Sequence, residues 1–76
     1  MTNDAEIRRV LAELALRREA GATFCPSEAA RALAEDWRPL MGEVRRVAGE
    51  MDLRATQRGV EVDVLTAEGP IRLARR

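Results

Sequence analysis

The sequence predicts an α+β fold in which three helices pack with a small antiparallel β-hairpin or three-stranded sheet. Residues 25–51 contain two short helical patterns joined by a tight polar connection, Ala34 to Asp36. Residues 53–64 then alternate apolar and polar side chains around Arg58-Gly59, which is typical of a hairpin. Two crossed helices followed by a hairpin are the arrangement of a winged helix-turn-helix. The 76 residues are therefore predicted to form a single winged-helix domain, residues 1–76.

The first two helices are predicted at about residues 4–20 and 26–34. Asn3 is expected to cap the first helix, and Gly21 is expected to end it. Cys25 is expected to cap the second helix, because Pro26 suits the first helical position and Glu28 then falls at the third. The apolar stripe of the first helix consists of Ile7, Val10, Leu11 and Leu14.

The third helix is predicted at about residues 37–51. Asp36 is expected to cap it, Pro39 lies within its first turn, and Trp37 is expected to wedge between the helices at the corner. Steps of 100° along this helix place a core stripe at Leu40, Val44, Val47 and Met51, with Met41 and Ala48 beside it.

The wing hairpin is predicted at about residues 53–64, with Gly59 supplying a positive φ at its tip. Residues 60, 62 and 64 are all valine, so the return strand is expected to extend to Val64. A C-terminal strand at about residues 70–74 is expected to cover an open edge of the hairpin, and residues 22–24 are expected to form a further short strand.

Composition disfavours an enzyme, and we expect no catalytic activity. The chain has no histidine, lysine or tyrosine, so the usual general bases and Schiff-base formers are missing. One cysteine without histidine gives no ordinary zinc site, and nothing in the sequence indicates a cofactor. There is no apolar run for a membrane span or a secretion signal, so we expect a cytoplasmic protein without membrane or metal.

Charge is balanced overall but unevenly distributed. There are 13 arginines against 13 acids, and the sequence pI of about 6.3 is low for a nucleic-acid-binding domain. Residues 1–36 hold five arginines and seven acids, whereas residues 37–60 hold five arginines and three acids. The excess positive charge therefore falls on the predicted third helix and the wing.

The predicted outer face of the third helix is the candidate DNA contact. It carries Arg38 and Arg45, with Arg46 on one flank and glycines at 42 and 49. Arginines beside positions without side chains suit close approach to phosphates or base edges. Arg58 at the hairpin tip would grip the DNA backbone, although Glu61 and the neighbouring Asp63 would oppose it. An ordinary solvent-exposed helix face explains the same pattern.

Four ordered segments carry a resemblance to a known family: CPSEAARAL, DWRPLMGEVRRVA, TQRGVEVD and GPIRL. In this order and spacing they resemble a small bacterial family catalogued as domain-of-unknown-function family 3253, over residues 7–73. The resemblance implies a compact winged-helix fold and brings no activity or site residue with it.

Three functional hypotheses follow from the sequence. The first is a DNA-binding winged helix, such as a transcriptional regulator, that contacts double-stranded DNA through Arg38, Arg45, Arg46 and Arg58. The second is a protein-interaction module without nucleic-acid binding, which docks a protein partner or forms a homodimer through Leu16, Met41 or an open strand edge. The third is thiol chemistry at Cys25, whose place at a helix N-terminus can lower a thiol pKa.

Overall fold

The computed structural model describes residues 3–19 and 22–76, and it confirms the predicted α+β fold class. Three α-helices and a three-stranded antiparallel sheet form an arrangement consistent with a winged helix-turn-helix. In chain order the elements are α1 Asp4–Arg17, α2 Pro26–Leu33, a 3₁₀ turn Arg38–Leu40, α3 Met41–Glu50, β1 Leu53–Gln57, β2 Val60–Val62 and β3 Arg72–Arg75.

The core lies between the three helices and one face of the sheet. Phe24, which is fully buried, links the two layers, because it pairs with β3 and belongs to the same apolar cluster as the helices. The predicted apolar stripes of the first and third helices are confirmed. Their partly buried members are Leu14, Leu40, Met41 and Met51. The other largest buried side chains are Ile7, Leu11, Val44, Val47, Ile71 and Leu73.

The starts of α1 and α2 are capped as the sequence predicts. The side-chain oxygen of Asn3 accepts a hydrogen bond from the Glu6 backbone N–H at 2.9 Å. At α2 the Cys25 N–H donates to the Glu28 carboxylate at 3.0 Å, and the Glu28 N–H donates to the Cys25 carbonyl at 2.9 Å. These bonds satisfy backbone groups that a helix start otherwise leaves unpaired.

The end of α1 comes earlier than predicted. The helix stops at Arg17 instead of residue 20, and Arg18 adopts an extended backbone with φ −88° and ψ 148°. The Arg18 guanidinium then reaches the Glu28 carboxylate at 2.6 Å, so the chain leaves the helix where it can pair with α2. Gly21, the predicted stop residue, lies outside the described residues.

The start of the third helix also differs from the prediction, because Asp36 does not cap it. The helical segment opens as a 3₁₀ turn whose N-cap is Trp37, without a side-chain cap. Pro39 has no N–H, so the first bond available is from the Leu40 N–H to the Trp37 carbonyl, at 2.9 Å. That three-residue spacing is the 3₁₀ pattern, and α3 follows from Met41.

The sheet has the order β2-β1-β3, so β1 is central. The two-residue turn at the tip is confirmed, with positive φ at both Arg58 (54°) and Gly59 (83°), as a type I′ turn requires. The C-terminal strand covers the other edge of β1, as predicted, but it spans residues 72–75 rather than 70–74. The expected strand at residues 22–24 is a single bridge between Phe24 and Leu73.

The return strand of the hairpin ends at Val62, two residues earlier than predicted. Asp63 turns the chain away from the sheet: its carbonyl accepts the Ala67 N–H at 2.9 Å, and its carboxylate accepts the Leu65 N–H at 2.8 Å. The following residues lie against α3 instead of extending the hairpin. We call residues 63–70 the wing segment.

Among the described residues, no helix is both long enough and apolar enough to cross a bilayer.

Candidate nucleic-acid interface

Arg38 lies at the corner between α2 and the third helical segment, beside Trp37. Its guanidinium carbon is 4.7 Å from the centroid of the Trp37 ring, and that of Arg31 is 4.6 Å from the same centroid. Both distances are within the range of a cation–π interaction. Arg31 and Arg38 are exposed, and neither has a carboxylate partner among the described residues. Trp37 itself is half-buried and packs against the core, as predicted.

Arg45, two helical turns beyond Arg38, holds the wing segment on α3. Its two terminal nitrogens donate to the carbonyl oxygens of Ala67 at 3.0 Å and Gly69 at 2.5 Å. Carbonyl groups satisfy these donors without neutralising the charge. Arg45 therefore keeps a net positive charge at this face, but its side chain is not free as the helical phasing suggested.

The two glycines of α3 have different surroundings. A β-carbon built on Gly42 would meet nothing within 4 Å, so packing within the fold does not require glycine there. A β-carbon on Gly49 would lie 3.0 Å from side-chain atoms of Val64 and Leu65. Gly49 thus makes room for the wing segment, whereas Gly42 leaves bare helix backbone between Arg38 and Arg45.

Arg46 is engaged by acidic residues of α1 and α3. Its guanidinium lies 2.7 Å from the Asp4 carboxylate, 2.6 Å from Glu43 and 3.3 Å from Glu50. Its hydrogen bond holds the pKa of Asp4 below the usual value of an aspartate, and the same contacts raise the pKa of Arg46. The sequence predicts pairing with Glu43 and Glu50, but the contact with Asp4 depends on the packing of α1 against α3.

Arg58 occupies the hairpin tip, where its side chain is exposed and has no ion-pair or hydrogen-bond partner in the described residues. It borders a shallow depression with Gln57, Glu68, Gly69 and Pro70. Gly69 also accepts the hydrogen bond from Arg45, so the tip and α3 meet at the wing segment.

The two acidic residues of the predicted return strand, Glu61 and Asp63, have partners within the fold. Glu61 lies 3.0 Å from the Arg76 guanidinium, which also pairs with Asp52 at 3.0 Å. Asp63 accepts the hydrogen bond of its own turn. The repulsion of phosphate expected from these two carboxylates is therefore reduced but not removed.

Arg31 is the residue that sequence reasoning missed. In the sequence it comes directly after Ala30, a buried residue of α2, and it lies in the last turn of that helix, where a basic side chain is common. Only the crossing of the helices brings it to Trp37, six residues later. The sequence offered one indication of this contact: a cation, Arg31, lies before the predicted connection, and an aromatic residue, Trp37, lies directly after it.

The comparisons with known proteins agree with the resemblance seen in the sequence. The profile of a family described as "Protein of unknown function (DUF3253)" matches residues 4–76. The chain belongs to this family. A search of curated proteins gave no significant match. The chain is thus a small α+β domain of a family of unknown function, and the family description attaches no activity to any residue.

Proposed function

We propose that this DUF3253 domain binds double-stranded DNA, in the manner of a transcriptional regulator, through α3 and the hairpin tip. Arg38 and Arg45 contact the DNA from α3, and Arg58 contacts the phosphate backbone from the tip. A cytoplasmic location is part of this proposal. Catalysis is not part of it, since histidine, lysine and tyrosine are absent from the chain.

The observation that supports the proposal best is the uneven pairing of the arginines. Arginines on α1 and on the α1-facing flank of α3 have carboxylate partners within 4.0 Å, Arg46 most of all. Along the other side of α3, none of Arg38, Arg45 and Arg58 has such a partner in the described part of the chain. Arginines without a carboxylate partner suit a phosphate backbone, although the exposed Glu68 borders the same depression as Arg58 and opposes an anion there.

Two further features fit this face. Gly42 leaves the helix backbone open between Arg38 and Arg45, so a DNA strand can approach closely. The carboxylates that pair with Arg46 lie on the other flank of α3, toward α1. We assign Arg46 chiefly to the contact between α1 and α3, and its predicted contact with DNA stays a prediction that these ion pairs weigh against.

The proposal is tested by anisotropy of dye-labelled 20–25 base-pair duplexes at several salt concentrations. We expect modest, salt-sensitive binding, with a log–log salt slope that falls by about 0.9 for each phosphate contact removed. Arg58→Gln and Arg38→Gln should each weaken binding. Arg17→Gln is the matched control, because it removes the same charge from an exposed side chain on α1. No binding at low salt, or equal loss in the control, would refute DNA binding by this face.

A protein-interaction module is the second candidate, favoured by apolar side chains exposed around the hairpin. Val60 and Leu65 are 65% and 63% exposed. Their sequence neighbours Glu61 and Val64 line an open cleft of about 400 Å³ between the end of α3 and the hairpin. Its lining is mixed: Ala48, Leu53, Ala55 and Val62 are apolar, and Asp63 and Arg76 are charged. A partner that remains bound after nuclease treatment, and is lost in Leu65→Ser, would favour this function over DNA binding. Leu16, the predicted dimer residue on α1, is 71% exposed, and sedimentation of Leu16→Ser against wild type tests a homodimer.

A further inference from the structure

We propose that Arg31, Trp37 and Arg38 form a clamp for the phosphate backbone of duplex DNA at the corner between α2 and the third helical segment. This inference rests on the proposed DNA binding and adds to it a second contact, with a residue outside the predicted site. We call these three residues the corner clamp.

The geometry of the corner clamp comes from the crossing of the two helices. Arg31 stands in the last turn of α2, and Arg38 opens the 3₁₀ turn directly after Trp37. Both guanidinium carbons lie within 5 Å of the centroid of the Trp37 ring, at 4.6 and 4.7 Å. The two cations therefore share one aromatic ring, which joins the last turn of α2 to the start of the third helical segment.

Contact with the Trp37 ring leaves the hydrogen-bond donors of both guanidinium groups free. A guanidinium that lies over an aromatic ring is attracted by its face and loses mobility before any ligand arrives. Its N–H donors point along its own plane and can still form two parallel bonds to phosphate oxygens. Neither guanidinium has a hydrogen-bond acceptor or an ion-pair partner in residues 3–19 and 22–76. Because the two arginine side chains are already ordered, they lose less conformational entropy when a ligand binds.

The carboxylates nearest the clamp in the sequence oppose an anionic ligand but do not occupy the arginines. Glu35 and Asp36 are exposed in the turn between Arg31 and Arg38, and neither forms an ion pair with them among the described residues. Arg31 contacts Trp37, which starts the third helical segment that carries Arg38 and Arg45, so it adds a third arginine to this row. A phosphate strand crossing this face would meet the clamp at one end and the Arg58 tip beyond the other.

The test combines duplex anisotropy with the fluorescence of Trp37, which is the sole tryptophan in a chain without tyrosine. A dye-labelled 20–25 base-pair duplex is titrated with wild type, Arg31→Gln and the charge-matched control Arg17→Gln at several salt concentrations. We expect Arg31→Gln to lower the salt slope by about 0.9 on duplexes of any sequence, since a phosphate contact carries no base information. Trp37 emission should change on saturation with an unlabelled duplex. Arg31→Lys should keep the salt slope but bind more weakly, because lysine retains the charge without the planar fork.

Failure of the clamp and failure of DNA binding give different results. If wild type binds DNA, but Arg31→Gln has the slope of Arg17→Gln and Trp37 emission does not change, the clamp is wrong and the proposed function stands. If wild type does not bind at low salt, both are wrong. Circular dichroism of each variant shows whether it is folded, and exposed Arg31 can be replaced without opening the core.

Discussion

At the scale of single residues, the arginines of the third helical segment and the wing differ in their surroundings, although the sequence presents them as equivalent. Arg46 is neutralised by three carboxylates, and Arg45 is bound to backbone carbonyls. Arg38 lies against an aromatic ring, and Arg58 is exposed at the tip. Helical phasing gives the direction of a side chain, but its partners come from other elements, so charge available for binding cannot be read from the helix alone.

Gly42 and Gly49 provide a prediction that separates stability from binding. Alanine at position 42 should raise the free energy of unfolding by roughly 0.5–1 kcal/mol, because glycine disfavours a helix and the new methyl group meets no neighbour. Alanine at position 49 should gain less or lose stability, since Val64 and Leu65 would have to move. Urea unfolding followed by circular dichroism measures both.

The same pair tests close approach to DNA. If the backbone at Gly42 contacts the duplex, Gly42→Ala should weaken binding in the anisotropy assay while it stabilises the fold. A variant that is more stable and binds DNA as wild type does would show that no such contact exists at this position.

At the scale of elements, α2 depends on Glu28 at its first turn. The carboxylate accepts the Cys25 N–H at 3.0 Å and pairs with Arg18 at 2.6 Å, which ties the end of α1 to the start of α2. Burial alone would raise the pKa of Glu28, but these hydrogen bonds outweigh it and the pKa lies below the usual value. The negative charge of Glu28 is therefore more stable in the folded state than in the unfolded chain.

This lowered pKa predicts a pH dependence of stability. The contribution of Glu28 should be complete above the usual glutamate pKa and should disappear as the pH falls through the lower folded-state pKa. Glu28→Gln should cost about 0.5–1 kcal/mol near pH 7 and much less near pH 2. Unfolding curves at both values check this, with Glu13→Gln on the solvent side of α1 as control. An equal cost at both pH values would mean that charge is not responsible.

The wing segment is the second element with a testable attachment. Arg45→Gln should release the carbonyls of Ala67 and Gly69, and protection of nearby amides against hydrogen exchange should fall, foremost at the Ala67 N–H. Global stability should drop by about 1 kcal/mol. Arg38→Gln, on the same face but not in contact with the segment, should leave this protection unchanged.

In a DNA-binding assay, a substitution at Arg45 therefore has two effects. Its substitution removes a charge and also releases the wing segment, so reduced binding by Arg45→Gln has two causes. Arg45→Lys, which keeps the charge but cannot fork to two carbonyls, separates them. If the wing segment stays protected in both variants, the hydrogen bonds of Arg45 do not hold it.

At the scale of the whole molecule, packing sorts the charge of a neutral chain into two sides. Arg8 of α1 pairs with Glu50 of α3 at 3.1 Å, and Arg46 of α3 pairs with Asp4 of α1 at 2.7 Å. These contacts span 42 residues of sequence and place paired charge on one side of α3. On the other side, Arg38, Arg45 and Arg58 have no carboxylate partner among the described residues, and the same holds for three arginines of the sheet, Arg54, Arg72 and Arg75. A net charge of zero therefore does not decide whether one face can bind an anion.

The sequence by itself determined the fold class and much of the core. Apolar spacing of 3.6 residues located α1 and α3, the Cys25-Pro26 start located α2, and Arg58-Gly59 located the turn of the hairpin. These features are local, since helical period, capping and positive φ depend on neighbours within a few residues. The predicted boundaries were wrong where a distant partner intervened, as at Arg18, or where Pro39 removed a backbone donor.

Only the tertiary structure decided which partners each arginine has. The return of the wing segment over Gly49, the contact of Asp4 with Arg46 and the meeting of Arg31 with Trp37 join residues from different elements. Such contacts depend on crossing angles and on the path of a loop, which side-chain spacing along one helix does not specify. The predicted DNA contacts at Arg38, Arg45, Arg46 and Arg58 stay predictions; packing gives Arg46 three carboxylate partners, and the crossed helices bring Arg31 to Trp37, which is why we propose Arg31 as a further contact.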